Sequence, residues 1–358
     1  MPAPSAPVRS TYTLAEILSQ PEVWLSCQRQ FASDSAFNSA AARLASAKEI
    51  LFVGCGSSLY LAEVAAAAWT LLAGRRARAL PASELLLFPG LCQLDVANLQ
   101  IVVISRSGKT SEAVRAADFL TNRQHLPTLG ITCATGSELS NVCDLTVALP
   151  AADEKSMVMT RSFTSMLHLL MRLAEAQRGD SSSASILEKA SAALANRMQT
   201  MNDRIASFVA ARTFSDYIYL AQGPFFPVVR EAALKITEMS CSYAQPYHTL
   251  EFRHGPKSIV APETCLTFFL SETAMQAESE VLVEMKQLGG TIVAICNRAP
   301  ETVRQSADLL FELEADIPEL SLLAPFLVPA QLLGFHTGIK KGFNPDEPKN
   351  LSRVVILD

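Results

Sequence analysis

The feature that most restricts this chain is that it repeats its own plan. In the first half, apolar β-rich runs alternate with helical patterns. They read "EILFVG" (49–54), a helix from about Ser58 to Ala73, "QIVVIS" (100–105), a helix from about Glu112 to Asn122, "LGITCA" (129–134) and "DLTVAL" (144–149), with a helical stretch around 160–177. The second half follows suit. "DYIYLAQG" (216–223) enters a helix through Gly223 as "FVGCG" does through Gly56, and "CLTFFLS" (265–271), "TIVAICN" (291–297) and "DLLFEL" (308–313) match the later runs. Ile131 and Asp144 are 13 residues apart, and so are Ile295 and Asp308. Equal spacing over matching patterns marks a duplication. Short apolar strands separated by crossover helices predict an α/β protein with two tandem, doubly wound, mostly parallel sheets flanked by helices. The expected boundaries are a helical lead-in over 1–40, a first copy over 41–178, a linker and helix over 179–200 opened by the polar "GDSSSAS" (179–185), a second copy over 201–345, and a tail over 346–358.

Composition narrows the class. Hydrophobic residues make up 49% and charged residues 18% of 358, enough for two packed cores. The net charge is −5 with no basic block, which argues against nucleic acid and anionic membranes as partners. The longest apolar run, "VAAAAWTLLAG", is about half a membrane span and reads as a buried helix. No apolar signal core lies in residues 1–10. The eight cysteines form no C-x-x-C pair, so a reducing cytoplasm is expected and no disulfide scaffold or metal site. No cofactor is expected.

Two small-residue turns carry the first chemical signal. "ISRSGKTSE" (104–112) packs hydroxyls, a glycine and cations between a strand and a helix. Gly108-Lys109-Thr110 spells the end of a nucleotide P-loop, but Val103 stands where the first glycine of that motif belongs. A shorter cradle remains, in which helix-start N–H groups and the hydroxyls of Ser105, Ser107, Thr110 and Ser111 suit a single phosphate. An N-cap with a polar turn is the plainer account. Its twin in the second copy, "SETAMQAE" (271–278), has lost Gly108 and most of the hydroxyls, although both copies need a helix cap. That asymmetry favours an anion site in the first copy alone. "GCGSS" (54–58) ends the first strand, and strand carboxyl ends share one crevice in such sheets, so the two turns converge. Bulk at the third glycine position, around Tyr60, makes a dinucleotide fingerprint poor. Cys55 reads as a packed small residue.

"GCGSS", "SRSGKTSE" and the duplication resemble the sugar isomerase (SIS) domain proteins, most of all the double-SIS isomerase half of glucosamine-6-phosphate synthase and its free-standing relatives. "LAEILSQPE" (14–22), the segment over 230–258 and "GFNPDEPKNLSRVV" (342–355) extend the resemblance along nearly the whole chain. It implies two SIS domains, each a flavodoxin-like three-layer sandwich. It implies that Ser58, Ser105, Arg106, Ser107 and Thr110 hold a sugar 6-phosphate, with Gly56, Ser57 and Ser352 as further substrate contacts. It assigns the base that moves a proton between C1 and C2 to Glu238, places the Lys235 cation beside it, and gives ring opening to His254, supplied across a homodimer interface. From the residues alone, a solvated helix with an ordinary Glu231–Lys235 pair is the simpler account. The histidines at 125, 168, 248 and 336 match no catalytic position.

Departures from the family refine the expectation. An amidotransferase half is not expected ahead of this sequence, and neither is ammonia drawn from glutamine. Where the synthase tail carries a Schiff-base lysine, this tail reads Asn350-Leu351-Ser352-Arg353, and arginine forms no such adduct at working pH. Arg353 is expected to clamp the substrate instead. "MTRSFT" (159–164) and "FRHGPKS" (252–258) look closer to the tagatose-6-phosphate ketose/aldose isomerase and amino-sugar-phosphate deaminase branch. The expected activity is isomerisation and deamination of a hexosamine 6-phosphate. The alternatives are a fructosamine-6-phosphate deglycase, a simple aldose–ketose isomerase, and a phosphosugar sensor without catalysis.

Overall fold

The computed structural model describes residue 10 and residues 12–94, 97–179 and 182–357. Residues 1–9 of the expected lead-in, and residues 180–181 of the expected linker, lie outside them. Among the described residues, ten strands form two five-stranded sheets. In the first, β1 (Glu49–Gly54), β2 (Arg76–Pro81), β3 (Leu99–Ile104), β4 (Thr128–Thr132) and β5 (Leu145–Ala148) lie in the order β2-β1-β3-β4-β5. In the second, β6 (Asp216–Ala221), β7 (Ala244–His248), β8 (Thr264–Phe269), β9 (Thr291–Cys296) and β10 (Leu309–Glu312) repeat it as β7-β6-β8-β9-β10. Every pairing is parallel. The duplication expected from spacing is thus a repeat of topology.

The central strands show why these sequences fold this way. β1, β3 and β8 are buried at every position, as strands covered by helices on both faces must be. Each sheet holds one strand that the apolar pattern did not announce, β2 or β7, in the same place in each copy. Both are edge strands with half-exposed side chains, "RARALP" and "AQPYH", so neither carries a continuous apolar run.

The copies also share a carboxylate lock. Asp144 Oδ2 accepts the Thr128 N–H at 2.8 Å, and Asp308 Oδ2 accepts the Ile292 N–H at 2.8 Å, sixteen residues back in each case. Each carboxylate also meets one cation, Arg43 at 2.9 Å for Asp144 and Lys286 at 2.7 Å for Asp308. The 13-residue spacing seen in the sequence ends on this pair of locks.

By contacts the described chain forms two units. One comprises residues 20–153 and 161–192 and those from Val354 onward, and contains the first sheet. The other comprises the residues up to Ser19 with 154–160 and 193–353, and contains the second. Asp346 secures the N-terminal segment of the second unit, accepting from the Ser10 hydroxyl at 2.6 Å and from the Thr13 N–H and hydroxyl at 2.7 Å each. The Ser183–Ala211 helix runs from the expected linker into the expected second copy. One stretch, Glu319–Lys340, is long and apolar enough to cross a membrane, but 89% of its apolar window is buried inside the protein. The run "VAAAAWTLLAG" falls in the Ser57–Ala73 helix and its C-cap, with Val64, Ala65, Ala68 and Trp69 buried.

Replacing Asp144 or Asp308 by Asn should cost about 1 kcal/mol each, modest for a charged hydrogen bond because both side chains keep some solvent contact. Burial alone would raise the Asp144 pKa, but the Thr128 N–H and the Arg43 guanidinium hold it below the usual value. Its contribution is therefore complete at neutral pH and is lost as pH falls through that lowered pKa. Urea unfolding of wild type and Asp144→Asn should differ at neutral pH and converge in acid. A pH-independent difference would assign the effect to something other than the carboxylate.

Candidate active site

The two turns singled out in the sequence lie side by side in the first unit. β1 and β3 are hydrogen-bonded neighbours, with Val53 opposite Val103, so both chains leave the sheet at its carboxyl edge. β2 lies on one side of β1 and β3 on the other, which makes this the topological switch point where such sheets bind ligands. The first turn is tight. A side chain on Gly54 would sit 2.3 Å from the Ser58 carbonyl, and Gly56 has φ +55°, at home only in glycine. Ser57 and Ser58 begin the helix and are nearly buried.

The second turn is tied down by its carbonyls. The Ser105 carbonyl accepts Gly108 N–H at 3.0 Å. The Arg106 carbonyl accepts Cys133 N–H at 2.9 Å and the Thr132 hydroxyl at 3.0 Å, and the Gly108 carbonyl accepts Leu139 N–H at 2.9 Å. In a trans peptide the N–H points opposite to the carbonyl, so anchoring these oxygens aims the following amides the other way. Gly108 has φ +62°, and a Cβ there would come within 2.2 Å of Ser137 Oγ. Ser105 and Arg106 are buried, Ser107 and Thr110 half-buried, and the Ser105 and Thr110 hydroxyls are 3.4 Å apart. Burial and the Glu112 charge push the Cys55 thiol up to about 12, so it stays protonated, as expected of a packed cysteine.

The twin turn explains its own lost hydroxyls. Gly223 keeps the backbone of Gly56, at φ +54°. In place of an open cradle, Glu278 turns back into the loop. Its Oε2 accepts the Ser271 N–H at 2.9 Å and hydroxyl at 2.8 Å, and its Oε1 accepts the Thr249 hydroxyl at 3.1 Å. The side chain is fully buried, and that burial raises its pKa above the ordinary carboxylate value. In the second copy the donors of the turn are taken up by the chain's own carboxylate. Sequence reading noted the loss of donors and missed the replacement. The available signal was Glu278 itself, seven residues after Ser271.

In the second unit the Phe226–Ser240 helix carries Glu231, Lys235 and Glu238. It is buried through Ala232, Ala233, Ile236 and Met239 and packs on the Leu323–Lys340 helix with backbone almost touching backbone. A Cβ on Gly338 would lie 2.2 Å from the Met239 carbonyl, and one on Gly334 would lie 3.2 Å from that of Lys235. Lys235 has no solvent contact. Its Nζ is 3.2 Å from Glu231 Oε1 and in contact with Glu238 Oε2. Burial pushes the Lys235 ammonium down, and the Glu231 and Glu238 carboxylates outweigh this and raise its pKa. The Glu231–Lys235 pair therefore exists, but buried and not on a solvated face. Glu238 is 14% exposed, whereas the other two side chains have no exposure.

His254 is exposed on a loop of the same unit, followed by Gly255 at φ +116°. Glu284 grips that loop on both sides, meeting Arg253 Nε at 2.7 Å and Lys257 Nζ at 2.7 Å. Ser352 and Arg353 are exposed near the chain end. His168 is buried against the Trp24 ring, and burial lowers its pKa to about 3, so it is neutral at working pH.

The Lys257 hydrogen bond, helped by Arg253, lowers the Glu284 pKa, so this clamp is charged at neutral pH. Glu284→Gln should cost under about 1 kcal/mol of global stability, because the pairs are partly exposed. It should nevertheless speed hydrogen exchange at Arg253–Ser258. Unaltered exchange there would mean that the loop is held by its turns alone.

Comparison with known proteins places this geometry. The SIS domain pattern matches residues 43–176 and again 217–336. The chain is 28% identical to glutamine–fructose-6-phosphate aminotransferase (isomerizing) of Aeropyrum pernix, covering 97% of this chain and 57% of that protein. It is also 28% identical to the Escherichia coli enzyme of the same name, over 73% of this chain and 44% of that one. The chain spans about half the length of the curated relatives it matches. Glucosamine-6-phosphate deaminase of Thermotoga maritima superposes with a TM-score of 0.77 at 28% identity, covering 96% of this chain and 99% of that one. Tagatose-6-phosphate ketose/aldose isomerase of Escherichia coli shares the fold, with a TM-score of 0.83 at 23% identity over 99% and 98% of the two chains. With both of its sheets matched, the chain belongs to the SIS domain family and carries that domain twice.

Proposed function

We propose that this protein isomerises and deaminates a hexosamine 6-phosphate, releasing ammonia and a ketose 6-phosphate. The observation that carries the reading is the Glu231–Lys235–Glu238 group, an otherwise buried charge cluster whose one solvent-reaching member is a carboxylate. Such a carboxylate is suited to proton transfer, because the ammonium beneath it is fixed and cannot relax into water. The near full-length match to a glucosamine-6-phosphate deaminase supports the amino sugar over the plain isomerase and the deglycase.

In this reading the first unit holds the phosphate on Ser58, Ser105, Arg106, Ser107 and Thr110, with Gly56, Ser57 and Ser352 as lesser contacts. His254, supplied across a homodimer, opens the ring. Glu238 removes the proton from C2 of the open aldose and returns it to C1, while Lys235 stabilises the negative charge that builds on oxygen. The resulting C2 imine takes up one water and loses ammonia, leaving the ketose. Arg353 clamps the substrate through its planar fork and forms no imine. The eight free cysteines fit a reducing cytoplasm.

Glucosamine 6-phosphate and galactosamine 6-phosphate, offered with purified protein, should yield ammonia and ketose in equal amounts from at least one of them. Glu238→Gln should retain binding while slowing C2-proton exchange in deuterated water by about 100-fold or more. Binding without turnover of any hexosamine 6-phosphate would favour a sensor, and undiminished exchange would remove Glu238 as the base.

The phosphate assignment has its own test. Each hydrogen bond to a charged group contributes about 1.5–3 kcal/mol, so Ser107→Ala with Thr110→Ala should raise KM by about 100-fold or more. An unchanged KM would place the phosphate elsewhere.

A further inference from the structure

The second unit differs from the first beside its β10 edge as well as in its turns. In the first, the Ser35–Ala45 helix that leads into β1 sends Arg43 onto Asp144 at 2.9 Å. In the second, the Ser183–Ala211 helix leads into β6, but the cation on Asp308 is Lys286, from the Met275–Gln287 helix. A cavity of about 570 Å³ lies between the end of the Ser183–Ala211 helix and Asp308 and Leu309, at the amino end of β10. Its helix wall carries Thr200, Arg204 and Ser207, spaced i, i+4, i+7 on one face, with Arg212 just past the helix end. The Ser271 turn lies beyond the carboxyl end of β8 in the same parallel sheet, so the two places are distinct.

Both arginines are held without the use of their donors. The Arg204 guanidinium lies over the Phe311 ring, 5.0 Å from its centroid, and that of Arg212 over the Phe208 ring at 4.6 Å. The two rings are buried and make fixed platforms. A ring attracts the face of a guanidinium, whose five N–H donors lie in its own plane. Among the described residues neither arginine pairs with a carboxylate, whereas Arg197 on the same helix meets Glu314 at 2.6 Å. A planar fork with open donors takes carboxylate or phosphate oxygens in pairs. Asp203 and Asp308, also on the walls, oppose a bare anion but accept hydrogen bonds from hydroxyl groups. A cavity of this size suits a small molecule.

We infer that this cavity is a small-molecule site, separate from the proposed active site, for a polyol that carries one oxyanion. The arginine forks take the phosphate or carboxylate, and the Thr200 and Ser207 hydroxyls add donors. Asp203 and Asp308 receive the hydroxyls at the ligand's other end.

The arginine side chains report on the site directly. In the full chain labelled with ¹⁵N-arginine, the Nε–H signals of Arg204 and Arg212 are assigned by Arg204→Lys and Arg212→Lys. Fructose 6-phosphate and gluconate are the probes, with sulfate as the bare anion. At least one probe should move both signals along a single saturating curve, and sulfate should bind more weakly. Which probe saturates tells a phosphate source from a carboxylate source. Lysine keeps the charge but not the fork, so each Lys variant should lose about tenfold or more in affinity for that probe, with its urea unfolding unchanged. Signals that never saturate with either probe would overturn the site. Sulfate binding as tightly as the probes would overturn the polyol, and full affinity in both Lys variants would overturn the forks. The readout involves no turnover and no residue of the proposed reaction, so it holds whether or not that reaction does.

Discussion

A lysine ammonium without solvent contact survives in a protein only where opposite charge surrounds it, because desolvation otherwise costs several kcal/mol. Lys235 meets that condition between Glu231 and Glu238, and much of the second unit is arranged to keep it so. The helix that carries all three is pressed against the Leu323–Lys340 helix through Gly334 and Gly338, where no larger residue fits. One cation against two carboxylates leaves an excess negative charge on the cluster. That imbalance suits Glu238, the member that reaches water, to its proposed role as the base.

The sheets and the site were legible in the sequence to different degrees. The six inner strands declared themselves as apolar runs, because helices cover both of their faces, and the edge strands β5 and β10 kept short, partly buried runs that could still be read. β2 and β7, also at edges, did not, since "RARALP" and "AQPYH" carry no such run. The Leu323–Lys340 helix is masked in a similar way. Proline is the poorest helix former, and Pro329 is tolerated in the interior because tertiary packing, not propensity, holds the helix. The anion loop was legible because its glycines and hydroxyls answer local demands of a tight turn. Lys235 was not, because i,i+4 spacing is the same for a solvated pair and a buried one. Burial depends on the Gly334 and Gly338 contact about a hundred residues away along the chain.

The two units differ in the polar groups that they gather. The first collects donors: amides turned outward by anchored carbonyls, serine and threonine hydroxyls, and the Arg106 guanidinium. The second holds Lys235 between Glu231 and Glu238, and the exposed His254. Duplicated folds diverge readily in this manner, because the Asp144 and Asp308 locks fix each sheet away from the turns and leave the turns free to change.

Glu278 has a consequence for how the protein responds to its surroundings. A ligand that belongs to the chain is present at a high effective concentration and never dissociates into bulk solution. The Ser271 N–H and hydroxyl are therefore occupied whatever the solutes around them. In the proposed reading, the matching donors of the first sheet are the ones left to answer to a phosphorylated molecule. One copy keeps its turn for solutes, and the other closes its turn with a side chain seven residues downstream of Ser271.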